Sequence, residues 1–227
     1  MKFKLMVVLG ILFLVSQLNA QEKVVLKDQK DKISYILGMD IGNNLKKQSV
    51  SVNPKVFAKG MEDALAGSKS LLTEQEVQET MMAFQKEMIA KQAEVAKKNK
   101  AEGEAFLAEN KKKEGVKALP SGLQYKVIKA GTGKKPKSND MVTVNYRGTL
   151  IDGTEFDSSY KRGQPATFQV NGVIPGWTEA LQLMEEGAKW QLFIPSNLVY
   201  GERGQGPIGP NSTLIFEVEL ISIQEKK

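Results

Sequence analysis

The feature that most limits how this chain can fold is a long stretch in which nothing interrupts a helix. From Thr73 to about Lys113 there is no proline, and the only glycine is Gly103. At 1.5 Å per residue, about forty residues would form a helical rod roughly 60 Å long. Thr73 and Glu76 have the spacing of a capping box, which predicts that the helix begins there.

The two halves of this predicted helix differ in polarity. The first half has an apolar stripe, whereas the second half is mostly Lys, Glu, Ala and Asn, with little to bury. The stripe consists of Val77, Met81, Phe84, Met88 and Val95. A helix that is apolar at one end and polar at the other is interpreted as a spacer attached to a helical bundle.

The residues before the spacer predict short helices. An apolar residue recurs at every fourth position from Ile33 to Leu45, and Asn53-Pro54 is typical of an N-cap followed by proline at the first helical position. The apolar surface between residues 31 and 95 exceeds what so small a helical unit could bury alone. The pattern therefore predicts a homodimer. The alternative is a self-contained helical domain that packs on its own C-terminal half.

The composition excludes several classes of chemistry. The 227 residues include no cysteine and no histidine, which rules out disulfides, thiol nucleophiles, Cys/His zinc sites and imidazole-based catalysis. The formal net charge is +6, of which +2 comes from Lys2 and Lys4 near the start of the chain. The remaining +4 is a mild excess, and the lysines alternate with glutamates as on a solvated face. We therefore expect no metal, no other cofactor and no binding to nucleic acid.

The first twenty residues have the three parts of a secretory signal peptide. Lys2 and Lys4 form a basic segment, Leu5–Val15 is apolar, and the small residue Ala20 occupies a plausible cleavage position. The apolar run is too short to span a bilayer. The pattern predicts export and a mature chain without a transmembrane span, whereas the alternative, a buried first helix, fits these flanks poorly.

The composition changes at Pro120-Ser121-Gly122, and the residues beyond Gly122 are typical of strands. Strands are predicted at Leu123–Lys129, Met141–Leu150, Ala166–Val170, Trp190–Ile194 and Thr213–Ile223. One short helix interrupts them, with Trp177, Leu181 and Met184 on a single face. The chain is therefore assigned to the α+β class, with a signal peptide (1–20), an N-terminal all-helical dimerisation domain (21–72), a long connecting helix (73–115) and a strand-rich domain (116–227).

The strand-rich half contains no obvious acid–base pair or activated nucleophile, but it has aromatic residues near its turns. They are Tyr146, Phe156, Phe168, Trp177, Tyr200 and Phe216. Each could simply belong to the core. However, Asp157 directly follows Phe156, and Tyr200 lies in a glycine-rich loop where its phenol could reach a bound amide. An aromatic cup with a few polar groups suits a ligand that is recognised mainly by apolar contact.

Five segments of this half resemble a known family. They are Val144–Gly148, Asp152–Ser159, Val173–Trp177, Ile194–Gly201 and Pro207–Phe216. In this order they resemble the strand, bulge and helix motifs of the FKBP-type peptidyl-prolyl isomerases. Segments of the N-terminal half resemble the macrophage infectivity potentiator (Mip) and FkpA-like branch of Gram-negative bacteria, namely Asp31–Tyr35, Val52–Pro54, Ala58–Met61 and Gly103–Leu107.

The resemblance implies an antiparallel sheet wrapped around one short helix, preceded by the helical dimerisation domain and the long helix. It implies a pocket formed by Tyr146, Phe156, Asp157, Phe168, Val173, Ile174, Trp177, Tyr200, Ile208 and Phe216, with Arg162 near the carboxylate. Two features depart from the family pattern and bear on substrate preference: Ala166 replaces a pocket phenylalanine, and the histidine often found after Tyr200 is absent.

The resemblance also implies a peptidyl-prolyl cis-trans isomerase that assists the folding of exported proteins. Its partners would be proline-containing unfolded polypeptides and the macrolide inhibitors of the family. Its location would be the periplasm of a Gram-negative bacterium, with association with the outer membrane or the cell surface as a further possibility.

A mechanism consistent with these residues needs no nucleophile. Trp177 is the hypothesised floor under the proline ring, with Tyr146 and Phe156 among the walls, while Tyr200 and the backbone N–H of Ile174 donate to substrate carbonyls. The competing interpretation is a dimeric chaperone or binding module for unfolded envelope proteins, with incidental isomerase activity. A third, an extracellular factor acting on host proteins, follows from the name of the branch alone.

Overall fold

The computed structural model describes residues 24–224, so the predicted signal peptide lies outside the described residues. The chain divides into two compact units between Leu65 and Ala66. The first contains α1 (Gln29–Lys47) and nearly all of α2 (Pro54–Ala66). The second begins before α3 (Glu74–Asn110) and includes the β-sheet. Within residues 24–224, we find no helix with the length and apolar character needed to cross a membrane.

The starts of two helices follow the predicted caps. The Asn53 side chain accepts the backbone N–H groups of Lys55 and Val56 at 3.0 and 3.3 Å, which satisfies donors that the first turn of α2 leaves free. Thr73 and Glu76 form the predicted capping box, each side chain bonding the backbone N–H of the other residue. Local chemistry therefore sets where α2 and α3 begin.

The second half of α3 makes contacts that the sequence does not reveal. Most of its residues are exposed, in line with its polar composition, but Gly103 and Asn110 are buried against the sheet-bearing part of the same unit. Gly103 is needed there, since a Cβ at this position would lie 2.3 Å from Thr213 Oγ1. Phe106 packs on Phe193 with ring centroids 6.0 Å apart. The count of apolar side chains in the sequence does not reveal this contact, because it also uses a glycine and amides.

The sheet has seven strands, two more than the sequence predicts. The strands are β1 (Val116–Ala118), β2 (Gln124–Lys129), β3 (Met141–Leu150), β4 (Glu155–Ser158), β5 (Ala166–Gln169), β6 (Lys189–Ile194) and β7 (Leu214–Gln224). Their order is β1-β2-β6-β7-β3-β4, β5 also pairs with β3, and every pair is antiparallel. The unpredicted strands are β1, which at three residues is too short to show a periodic pattern, and β4, which has four residues.

The core lies between one face of the sheet and α4 (Pro175–Leu181). Every second residue of β7 from Leu214 to Leu220 is buried, as expected for a strand with one face on the core. Helix α4 contributes Trp177 and Leu181, and Met184 follows it into the same cluster. Each large side chain buried in this way contributes about 1.5–3 kcal/mol. The sheet thus wraps around one short helix, which confirms the predicted fold class.

Candidate functional site

A cleft of about 440 Å³ opens where the start of α4 faces strands β3, β5 and β7. Its lining residues are Tyr146, Asp157, Phe168, Gly172, Val173, Ile174, Trp177, Tyr200 and Phe216. The volume and the predominance of aromatic and aliphatic walls are typical of a site for a small ligand or a short segment of peptide.

Trp177 reaches the base of the cleft because of how α4 begins. Ile174 is the N-cap and Pro175 takes the first helical position, where a missing N–H costs nothing. At Gly176 a Cβ would lie 2.3 Å from Ile194 Cγ2, so only glycine lets the helix approach β6 this closely. The close approach holds the neighbouring Trp177 against the sheet.

The Trp177 ring is held edge to face by three aromatic neighbours. Its ring centroid lies 5.2 Å from that of Tyr146, 5.2 Å from that of Phe216 and 5.9 Å from that of Phe168, with interplanar angles between 81° and 90°. This geometry brings the positive edge of one ring to the negative face of another. The indole is only 5% exposed, and its position is fixed before any ligand arrives.

The polar side of the cleft is a network around Asp157. The Tyr146 hydroxyl donates to Asp157 Oδ2 at 2.5 Å, and Arg162 Nη2 donates to the same hydroxyl oxygen at 2.6 Å. Arg162 Nη1 forms an ion pair with Asp157 Oδ1, which also accepts the Ser158 backbone N–H at 2.8 Å. The carboxylate therefore has at least three donors and is a poor general base.

These contacts keep the ionisable groups of the cleft in one charge state. Burial alone would raise the pKa of Asp157, but the hydrogen bonds from Tyr146 and Arg162 outweigh it, so this pKa is lowered. Burial and then the hydrogen bond to Asp157 raise the pKa of Tyr146. Burial and then the charge of Asp157 raise the pKa of Tyr200. At neutral pH the site thus presents a carboxylate and two protonated phenols.

The structure brings most of the predicted site residues together at the cleft. Phe156 and Ile208 instead pack around it: the Phe156 ring lies edge to face on Phe216 at 5.5 Å, and Ile208 is buried in the core cluster. Arg162 lies beside the carboxylate, as the resemblance implied. Sequence reasoning missed Gly172, which lines the cleft but has no side chain to signal a role.

Two family models match the chain. One, described as the domain amino terminal to FKBP-type peptidyl-prolyl isomerase, matches residues 30–127, and the other, described as FKBP-type peptidyl-prolyl cis-trans isomerase, matches residues 132–221. The chain belongs to the FKBP-type peptidyl-prolyl isomerase family. The predicted enzyme class is thereby confirmed, and the aromatic cleft lies within the part matched by the catalytic family model.

Individual relatives of this FKBP-type isomerase match nearly the whole of its chain. It is 51% identical to the outer membrane protein MIP of Legionella longbeachae, over 99% of both chains. It is 46% identical to the peptidyl-prolyl cis-trans isomerase Mip of Coxiella burnetii, over 92% of this chain and 93% of the relative. The crystal structure of FkpA from Escherichia coli is similar with a TM-score of 0.64 and 42% identity, over 88% of this chain and 99% of that one. These matches confirm the predicted Mip and FkpA-like branch.

Proposed function

We propose that this isomerase accelerates rotation about X–Pro bonds by moving the bond from water into the aromatic cleft above Trp177. One observation carries the proposal: the cleft has apolar walls, and its single carboxylate, Asp157, is already occupied by Tyr146, Arg162 and Ser158. Such a site is poorly suited to proton transfer. It suits a reaction that breaks no covalent bond.

The barrier to this rotation comes from amide resonance and is about 18–20 kcal/mol. In the twisted state the nitrogen regains its lone pair and the carbonyl becomes less polar. Water stabilises the planar, polar amide more than the twisted one, so replacing water by apolar walls lowers the barrier. The ring edges and faces around Trp177 supply those walls without reorganising, because their packing already fixes them.

Three groups hold the substrate during rotation. The N–H of Ile174 precedes the helical bonds of α4 and donates to a substrate carbonyl at the mouth of the cleft. The phenol of Tyr200, kept protonated by its raised pKa, donates to a second carbonyl. Asp157, held by Tyr146 and Arg162, presents its charge to the carbonyl carbon as the bond twists.

The decisive test replaces Asp157. Asp157→Leu should lower kcat/KM for a short X-Pro peptide about tenfold or more, the range expected for losing a charge-assisted interaction. Asp157→Asn, which keeps the shape and removes the charge, separates the charge from the packing. Turnover is measured without a coupling protease, with and without a macrolide of the family. Unchanged turnover in both folded variants would remove Asp157 from the mechanism, and a wild-type protein without macrolide-blocked turnover would overturn the proposal itself.

A smaller effect is expected at Tyr200. Tyr200→Phe removes one neutral hydrogen bond, which is worth roughly 0.5–1.5 kcal/mol, so kcat/KM should fall about twofold to tenfold. A larger loss would mean that the phenol does more than donate to one carbonyl.

The proposed setting is the envelope of a Gram-negative bacterium, where a homodimer acts on proline-containing segments of exported polypeptides. Similarity to a protein named as an outer membrane protein supports the envelope, and exposed apolar side chains support the dimer. On α1, Leu37 is 57% exposed, and on α3, Met81 is also 57% exposed. A second copy of the chain would cover these faces.

The same exposed faces favour a second candidate function, capture of unfolded envelope proteins by a dimeric chaperone. Deleting residues 1–90 removes α1, α2 and the apolar start of α3 while keeping Asn99–Asn110 on the sheet-bearing unit. Turnover of a short peptide should survive this deletion, whereas refolding of a large client should decline if the faces capture it. Equal refolding by the truncated and full-length chains would remove the chaperone function.

A further inference from the structure

The loop between Tyr200 and β7 supports one wall of the cleft but has little regular structure. Tyr200 lines the cleft, and Ile208, in the middle of the loop, is buried in the same core cluster as Tyr146 and Trp177. Within the loop, Gln205 and Ile208 exchange backbone hydrogen bonds at 2.8 and 2.9 Å. Two further bonds lie within the loop, from the Asn211 backbone N–H to the Gly201 carbonyl and from the Ser212 hydroxyl to the Gly209 carbonyl. Contacts from outside the loop add to these bonds.

Helix α3 supplies such contacts. Asn99 Nδ2 donates to the backbone carbonyl of Pro210 at 2.8 Å and lies 3.4 Å from Ser212 Oγ. From the loop side, Asn211 Nδ2 donates to the carbonyl of Ala96 at 3.4 Å. Ala96, Asn99 and Gly103 are three or four residues apart and so share one face of the helix. This face holds the end of the loop from Pro210 to Thr213.

The Asn99 contact is the strongest of these. Pro210 is buried, and a buried carbonyl without a donor is costly. Asn99 bonds it across more than a hundred residues of sequence.

The held end of the loop is also tied to its beginning. The Asn211 backbone N–H donates to the carbonyl of Gly201 at 2.8 Å, and Gly201 directly follows Tyr200. A path of two contacts thus leads from Asn99 through Pro210 and Asn211 to the backbone next to Tyr200. Movement of α3 relative to the loop would shift the phenol that faces the cleft.

We propose that Asn99 is a positioning residue of the isomerase site. It attaches the loop of residues 201–213 to α3, and α3 thereby sets the position of Tyr200 and Ile208. The position of these two residues determines the preference for the residue that precedes proline. The proposal rests on the proposed function, because it concerns substrate choice at the same cleft. In this proposal the second half of α3 does more than connect the helical and strand-rich regions, because it also positions residues of the cleft.

The test uses full-length Asn99→Asp, which keeps the size of the side chain but replaces the Nδ2 donor with an oxygen facing the Pro210 carbonyl. The matched control is Lys98→Ala, whose side chain is 71% exposed. Hydrogen exchange is measured over residues 201–213, and kcat and KM are measured separately for X-Pro peptides with X as Ala, Leu, Phe and Glu. Thermal unfolding establishes that each variant is folded at the assay temperature.

Asn99→Asp should accelerate exchange in the loop and change the ratio of kcat/KM between Leu-Pro and Ala-Pro peptides about twofold to tenfold, with Lys98→Ala equal to wild type. Asn211→Gly keeps the positive φ of 54° and removes the weaker contact, so it should act in the same direction with a smaller effect. It replaces Asn99→Asp as the test if that variant fails to fold.

Unchanged peptide ratios in a folded variant would overturn the positioning role, whether or not loop exchange rises. This outcome is distinct from failure of the proposed function. In that case the wild-type chain itself would show no turnover, while hydrogen exchange in the loop could still be faster in Asn99→Asp than in wild type.

Discussion

The strand-rich and helical regions of this chain differ in whether their apolar side chains are buried or exposed. In the strand-rich region, most of those between Leu123 and Leu220 form one buried core around Trp177. In the helical region, side chains of the same kind stay exposed: Leu37 is 57% exposed, whereas Leu192 of the sheet is fully buried. The strand-rich region thus buries its own apolar side chains, while α1 and the start of α3 present apolar surface suited to a second chain.

A single charge placed in each region should have the largest effect. Leu192→Asp would bury a carboxylate in the core without a partner, so we expect it to cost about 4 kcal/mol or more and to unfold the sheet. Ile128→Asp is the control, because Ile128 lies on β2 and is 51% exposed. Both are followed by tryptophan fluorescence in urea. A stably folded Leu192→Asp protein would contradict a core closed around this strand.

The same change in the helical region should have a different result. Leu37→Asp should leave each chain folded but raise the dissociation constant of the dimer about tenfold or more, because it puts a charge on the apolar stripe of α1. Asn43→Asp adds the same charge to the same helix at an exposed polar position. Sedimentation at several concentrations measures the assembly. A wild-type chain that stays monomeric would remove the dimer from the proposal.

Two helical glycines have opposite surroundings. Gly103→Ala would place a methyl group 2.3 Å from Thr213 Oγ1, so we expect a loss of about 1–3 kcal/mol in the free energy of unfolding despite the better helix propensity of alanine. Gly60→Ala in α2 meets no atom within 4 Å and should gain about 0.4–1 kcal/mol. Urea unfolding followed by circular dichroism checks both. Adding Thr213→Ala should recover part of the loss at Gly103, and equal effects at the two glycines would contradict the packing of α3.

The smallest expected effect is that of pH. The pKa of Asp157 is lowered and those of Tyr146 and Tyr200 are raised, so none of these groups changes charge between about pH 5 and 9. The stabilising contribution of Asp157 is present above its unfolded pKa and is lost as pH falls through the lowered folded pKa, while that of the phenols is lost on the alkaline side. We expect kcat/KM to be flat across this range, and a bell-shaped profile would reveal a titrating group.

Features that depend on residues close together in sequence could be predicted, whereas contacts between residues far apart in sequence could not. The capping box at Thr73 and Glu76, the N-cap at Asn53 and the face of α4 are local patterns, and the structure contains all of them. The residues of the aromatic cleft could be found because they lie in recognisable motifs. The strand at Val116–Ala118 is too short to carry a period.

The contacts of Asn99 and Gly103 with the loop could not be predicted, for another reason. An amide and a glycine in a lysine-rich helix look like solvated surface, and their partners lie more than a hundred residues away in sequence. Only the fold brings them together.

Helix α3 runs without a break from Glu74 to Asn110. Its length therefore sets the angle, about the helix axis, between side chains at its two ends. Each residue added to a helix turns everything beyond it by about 100°. One residue inserted near Ala90 would rotate Met81 by that angle about the axis, relative to Asn99 and Gly103. An insertion of seven residues, close to two full turns, would change the direction by only about 20°. Insertions close to a whole number of turns, such as seven or eleven residues, therefore leave the two ends of α3 in nearly the same relative orientation, whereas an insertion of one or two residues does not.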